Sequence, residues 1–246
     1  MPLKVVIVDD EQHNRETLKE LLSGIPDILI TAICKDGFEA VRAVQKEMPD
    51  LLFLDISMPR LSGFDVLELL GTSAPPVVFV TAFDEHALKA FETSAIDYIL
   101  KPVTPERIKK SLTKFLATGS TVRSDYKGFL EQRRNEASPL DRILIKDSGH
   151  IHIVPTDEIL YIKAEDDYVC IVTKATQFVK QDRLSSLEKH LNPTIFCRVH
   201  RSYILNIRHI DRLDPVGRER YEAVLRNGIR IPVSASGIRA LPWFNR

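Results

Sequence analysis

The sequence predicts two domains of different class: a doubly wound α/β domain with a five-stranded parallel sheet, then a smaller, mainly β domain. Three observations predict this. The first half alternates short apolar runs with helix-period segments five times over, the pattern of parallel strands covered by helices on both faces. From about Asp141 the apolar period switches to two. The charge also divides: residues 1–120 hold 13 Lys and Arg against 18 Asp and Glu, whereas residues 140–246 hold 17 against 13. At 246 residues the chain has room for both domains.

In the first half, Val5–Val8, Ile28–Ile33, Leu51–Leu54, Val77–Val80 and Tyr98–Leu100 are the expected strands. Several are too uniformly apolar to keep a wet face. Glu11–Ser23, Phe38–Glu47, Gly63–Leu70, Asp84–Thr93 and Pro105–Leu116 are the expected helices. The last has Thr104 as its N-cap and Pro105 at its first position. Residues 119–139, polar and turn-rich around a short amphipathic piece at Phe129–Arg134, are expected to form a linker.

In the second half, RILIK and HIHIV flank a turn at Asp147-Ser148-Gly149. Ile159–Lys163, Tyr168–Thr173 and QFVKQ continue the strands, and YEAVLR and IRIPV flank Asn227-Gly228, a strong hairpin signal. Only LSSLEKHL reads clearly as a helix.

No apolar run approaches the ~20 residues that a membrane span needs. The acidic start after VVIV is no signal peptide. Cys34, Cys170 and Cys197 are scattered, with no CxxC, which suits a reducing cytosol and excludes a cysteine metal site. His150 and His152 share one face of a strand and are expected to face solvent rather than a metal.

The reactive residues of the first half stand at strand ends. Asp9 and Asp10 follow VVIV, Asp55 ends LLFLD, Thr81 follows VVFV and Lys101 follows DYIL. In a doubly wound sheet, ligands bind beyond those ends, at the topological switch point. Three carboxylates meeting there need a cation, and an all-oxygen donor set suits Mg²⁺. Ser57 can add its backbone carbonyl. Asp55 can then attack a phosphoryl group, with Lys101 as a point charge for one oxygen and the Thr81 hydroxyl for another. Asp10 could instead cap the helix starting at Glu11.

VVIVDDE, LLFLDISMPRLSG, VVFVTAFDEHALKAF and DYILKP resemble the receiver domain of two-component response regulators, over about residues 3–118. The resemblance implies a flavodoxin-like fold in which Asp55 is phosphorylated by a sensor histidine kinase. It also implies that Asp10 and Asp55 bind Mg²⁺ directly and Asp9 through water. Thr81 and Lys101 would contact the phosphoryl group, with a cis Lys101–Pro102 bond placing the ammonium. Tyr98 would be the aromatic that follows Thr81 movement, coupling phosphorylation to a homodimer through Asp84–Thr93, Asp97–Leu100 and Pro105–Leu116.

The second half shows no helix-turn-helix, Walker or zinc-ligand pattern. FCRVHRSYILNIRHIDRL instead interleaves arginines and histidines with apolar residues, a candidate surface for nucleic acid. Roughly residues 140–242 resemble the LytTR family of DNA-binding domains, through EILYIKAEDDYV, LSSLEKHL, FCRVHRSYILN and IPVS. That resemblance implies an elongated β structure placing loop side chains in successive major grooves of a direct repeat. Its base-reading positions fall here on Asp167 or Tyr168, on Arg201 after His200, and on Ser234–Ser236. Arg198 and Arg208 are expected to add general affinity.

Two departures bear on the transfer. Ala235 stands where many relatives carry Arg, so Ser236 or Arg239 takes over or the contact is lost. Glu165-Asp166-Asp167 is acidic beside phosphates, although one carboxylate could accept from cytosine N4. The expected protein is a cytoplasmic regulator, not an enzyme. A phosphohydrolase with an aspartate nucleophile usually shows DxD, and here Ile56-Ser57 follow Asp55.

Overall fold

The computed structural model describes residues 2–82, 95–118, 139–147, 150–217 and 220–243. The chain divides into two compact units, 1–132 and 133–246.

In the first unit, β1 (Leu3–Val8), β2 (Ile28–Cys34), β3 (Leu51–Leu54), β4 (Val77–Thr81) and β5 (Asp97–Leu100) form one parallel sheet in the order β2-β1-β3-β4-β5. The helices are α1 (Gln12–Ser23), α2 (Gly37–Glu47), α3 (Gly63–Leu70) and α4 (Pro105–Thr118). The uniformly apolar strands are buried on both faces. Val5, Ile7, Phe53, Val80 and Ile99 share a core with Leu18 and Leu22 of α1 and Ile108, Leu112 and Phe115 of α4. On the other alternate, Phe79 of β4 meets Phe64 of α3 with ring centroids 5.4 Å apart.

Local signals start the helices. Asp36 caps α2 by accepting from the Glu39 amide, and Ser62 with Asp65 forms a capping box on α3. Thr104 accepts from the Arg107 amide at the start of α4. The alternative role for Asp10 is not realised: Glu11 holds the N-cap position of α1, and its amide is taken by Asp9 Oδ1. The expected Asp84–Thr93 helix, the Phe129–Arg134 piece and the linker up to residue 138 lie outside the described residues.

The second unit is built on an antiparallel sheet in the order β10-β9-β8-β12-β11. These strands are β8 (Ile159–Glu165), β9 (Tyr168–Thr173), β10 (Gln177–Lys180), β11 (Phe196–His200) and β12 (Tyr203–Asn206). A hairpin of β6 (Arg142–Asp147) and β7 (His150–Pro155), together with α5 (Leu184–His190), covers one face. Ile143, Ile145, Val154, Leu184 and Leu187 pack there on Ile162, Ile171 and Ile204. The other face is covered by β13 (Ile210–Gly217), β14 (Arg220–Leu225), β15 (Arg230–Val233) and α6 (Ala235–Ala240). Leu225, Ile231, Val233 and Ile238 pack there on Leu160, Val199 and Leu205. The period-two pattern thus feeds two cores from one sheet.

One element departs from expectation. ASGIRA forms α6, a second helix in this half, capped by Ser234 accepting from the Gly237 amide. It packs so closely on β11 that a Cβ at Gly237 would stand 1.9 Å from the Val199 carbonyl oxygen. His152 rests against the Phe178 ring, centroids 5.1 Å apart. All three cysteines are buried and free, and no helix among the described residues is long and apolar enough to cross a membrane.

Candidate functional site

The order β2-β1-β3 makes the gap between the ends of β1 and β3 the switch point of the first sheet. Asp9 and Asp10 arrive there from β1 and Asp55 from β3. Carboxylate oxygens of the three lie within 4.8 Å of one another. Asp9 and Asp55 are almost fully buried.

Lys101, just past β5, stands at the same point and is joined to Pro102 by a cis peptide. Its Nζ lies 2.6 Å from Asp55 Oδ2 and 2.8 Å from Asp9 Oδ2. Thr81, ending β4, is fully buried, and its carbonyl accepts from the Lys101 amide. The Ser57 amide donates to Asp55 Oδ1 at 3.1 Å.

Burial pushes the Asp55 carboxyl above the usual carboxylate range, against the opposing pull of Lys101 and the Ser57 amide. Burial works against the Lys101 ammonium as well. Its hydrogen bonds to the two acids outweigh that and raise its affinity for the proton.

Three residues that the sequence did not single out build this site. Arg15, one turn into α1, donates from Nη1 to the carbonyls of Asp9 (2.9 Å) and Asp10 (2.8 Å), fixing the acid pair. Asn14 donates to Asp9 Oδ1. Gly63 begins α3 so tightly behind Asp55 that a Cβ there would stand 2.4 Å from the Asp55 carbonyl oxygen. The i+4 to i+6 spacing of Asn14 and Arg15 from the acid pair was the available signal.

Tyr98 lies half-buried on β5, its ring 6.2 Å from that of Phe79, and its carbonyl accepts from Arg107 of α4. The same arginine, with Ser111 and Lys114, engages Asp97. Those hydrogen bonds overcome the effect of burial and hold the Asp97 carboxyl at about 2.

In the second unit, the strand registers bring the expected base-reading segments to one end of the main sheet. The Asp166-Asp167 turn joins β8 to β9 and the Arg201-Ser202 turn joins β11 to β12 at that end. Ser234 follows beside Val199, its amide and hydroxyl both donating to the Val199 carbonyl. Asp167, Tyr168, Arg201 and Ser236 are exposed.

Three other expected contacts are occupied internally. Arg198 donates to Glu188 at 2.7 Å and to the Arg201 carbonyl at 2.9 Å, so it braces the turn instead of standing free for a phosphate. His200 Nδ1 accepts from the Ser202 amide, within that turn. Ser234 is the cap of α6. Arg208 lies at the opposite strand end, after β12.

Two family models match the chain: "Response regulator receiver domain" over residues 5–113 and "LytTr DNA-binding domain" over residues 149–243. The chain is 36% identical to an uncharacterized response regulatory protein of Yersinia pestis. It is 35% identical to the transcriptional regulatory protein BtsR of Salmonella typhi and 33% identical to the sensory transduction protein LytT of Bacillus subtilis. Each match covers 97% of this chain and 97% of the relative. With an acidic site at the switch point of one unit and a LytTR-type β structure in the other, the chain belongs to the LytTR family of two-component response regulators, transcription regulators that join a receiver domain to a DNA-binding domain.

Proposed function

We propose that a sensor histidine kinase phosphorylates Asp55 and that the phosphorylated protein, favoured as a homodimer, binds DNA direct repeats in the cytoplasm to control transcription. The observation that supports this most is the buried cluster in which Lys101 bridges Asp9 and Asp55 at the switch point. We assign residues 1–118 to the receiver, 119–139 to a linker and 140–246 to the DNA-binding domain.

In the transfer, a carboxylate oxygen of Asp55 bonds to phosphorus while the bond from phosphorus to the kinase histidine nitrogen breaks. The electron pair stays on that nitrogen and an acyl phosphate forms on Asp55. The chain turns over no other substrate. Lys101 can exchange its contact with Asp55 for one with a phosphoryl oxygen, and the Thr81 hydroxyl can donate to another.

The residues fit a hard divalent cation: the donors are all oxygen, and three carboxylates converge within 4.8 Å with only the Lys101 ammonium set against two of them among the described residues. Asp9, Asp10, Asp55 and the Ser57 carbonyl would hold Mg²⁺. Bound there, it supplies charge neutralisation on the phosphoryl oxygens.

Movement of Thr81 would reach the β5–α4 face through Tyr98 and shift the monomer–dimer balance, to the extent that the phosphoryl group favours one state over the other. On DNA, Asp167 or Tyr168, Arg201 and Ser236 would meet base edges, with Arg198, His200 and Ser234 holding the segments that carry them.

The test is to incubate the full-length protein with a small phosphodonor and Mg²⁺, measuring acyl phosphate and sedimentation in the same sample. Wild type should gain acyl phosphate and associate, whereas Asp55→Asn should do neither. Acyl phosphate formed equally in the variant would remove Asp55 as the acceptor.

A further inference from the structure

The second unit carries a cationic site that the function above does not use. At the strand ends opposite the Asp166-Asp167 and Arg201-Ser202 turns, Lys174 follows β9, the short 3₁₀ turn Ile207–His209 follows β12, and Arg226 follows β14. Lys174, Arg208, His209, Arg226 and Asn227 line a hollow of about 440 Å³ floored by the buried Leu160 and Leu225. Arg208 and Arg226 also line a second hollow of about 510 Å³, together with Trp243 and Arg212.

Charge pairing distinguishes this place from the arginines around it. Arg212 is matched by Asp211 and Asp214, Arg230 by Asp214 and Glu222, and Arg198 by Glu188. Among the described residues, no acid lines the first hollow, and no hydrogen bond or ion pair engages the side chains of Lys174, Arg208 or Arg226. Burial lowers the proton affinity of His209, and the fields of Lys174 and Arg226 lower it further, against a hydrogen bond with the Asp157 backbone that raises it. Cations gathered around an apolar floor without counter-charge are complementary to an anion that brings an apolar body.

The donor set narrows the class. Two guanidinium forks and an ammonium already outnumber the two oxygens of a carboxylate. They suit the three terminal oxygens and double charge of a phosphate monoester. Distance separates the hollow from the reading turns: β8 spans Ile159–Glu165, and seven residues of strand cover about 20 Å.

We infer that the hollow lined by Lys174, Arg208, His209 and Arg226 binds a small organic phosphate monoester, making the DNA-binding unit a ligand receptor at the end remote from its reading turns.

The test uses full-length protein without divalent cations, titrated with phenyl phosphate, inorganic phosphate, benzoate and phenol. The chain's single tryptophan, Trp243, stands beside Arg208 and Arg226 and reports binding by fluorescence. Phenyl phosphate should give a saturable change, with weaker binding of inorganic phosphate and benzoate and none of phenol. Arg208→Gln combined with Arg226→Gln should weaken phenyl phosphate by at least about tenfold, and Lys174→Gln should weaken it less. Both arginines are exposed, so folding is expected to survive. The inference fails if no probe saturates, if phenol binds as well as phenyl phosphate, or if the double variant keeps wild-type affinity. It fails equally if the double variant lowers the salt slope of binding to a nonspecific duplex, because the cations would then be DNA backbone contacts.

Discussion

Replacing Lys101 with Met removes the ammonium that contacts two buried carboxylates while keeping a side chain of similar length. Asp9 and Asp55 are 0% and 4% exposed at the side chain, and with Asp10 their oxygens lie within 4.8 Å of one another. At an effective dielectric constant of about 20, two like charges at that separation repel by about 3.5 kcal/mol. Deleting one partner of a buried ion pair typically costs about 3–5 kcal/mol. Lys101→Met should therefore lose about that much stability at neutral pH in the presence of a chelator.

The sign with pH follows from Asp55. Its carboxyl already lies above the usual range when folded, so the folded state holds its proton more tightly than the unfolded chain. Its contribution weakens as pH rises through the carboxyl range, and in the variant that decline should be steeper. Mg²⁺ should restore more stability to the variant than to wild type, because it replaces the missing charge. Urea unfolding followed by far-ultraviolet circular dichroism reads the receiver, which carries every described helix of eight or more residues. Equal midpoints for variant and wild type in chelator would refute the electrostatic argument. A variant indifferent to Mg²⁺ would refute the cation site.

Asp97, held at about 2 against 3.8 for an ordinary aspartate, adds stability above the latter value that is lost as pH falls through the former. Wild type should lose about 2 kcal/mol more than Asp97→Asn over that acid window, and parallel acid titrations of the unfolding midpoint would contradict this. Gly237→Ala must push α6 off the Val199 carbonyl, at a cost of about 1–3 kcal/mol and with weaker duplex binding. Thermal unfolding followed through Trp243 should show the loss, and an unchanged transition would mean that the contact yields freely. Arg201→Ala should cost about 1–3 kcal/mol on a cognate duplex and little on a scrambled one. Arg198→Ala should weaken cognate binding without changing the salt slope, since its guanidinium is engaged by Glu188 and the Arg201 carbonyl. A slope lowered by about one unit would return Arg198 to a phosphate contact.

The parts of the fold legible in the sequence were those written as periodicity. LLFL and VVFV have no polar alternate because helices cover both faces, and Tyr168–Thr173 is bounded by its own turn residues. The acid cluster was legible because chain direction in a parallel sheet sends every strand end to one edge. The helix Ala235–Ala240 was not legible: it is six residues long with a glycine inside, and its stability comes from docking on Val199 rather than from propensity. Periodicity also tells which face a residue occupies but not which end of a strand, or whether a guanidinium is already engaged. Arg198, Arg201 and Arg208 therefore read alike in sequence, although one braces a turn, one is exposed at its tip and one lies at the far end of the sheet.

The contact between Gly63 and the Asp55 carbonyl gives the receiver a direction. Behind Asp55, the start of α3 leaves no slack: the Gly63 amide donates to the Ile56 carbonyl, and there is no room even for a methyl group. On the proposed phosphorylation of Asp55, a strand end seated against such a stop would have little room to recoil. The displacement would then fall ahead of it, on the side of Thr81 and Lys101. The backstop would thus work as a ratchet pawl, turning a local addition of charge and bulk into displacement toward β4 and β5 rather than into a diffuse loosening of the domain.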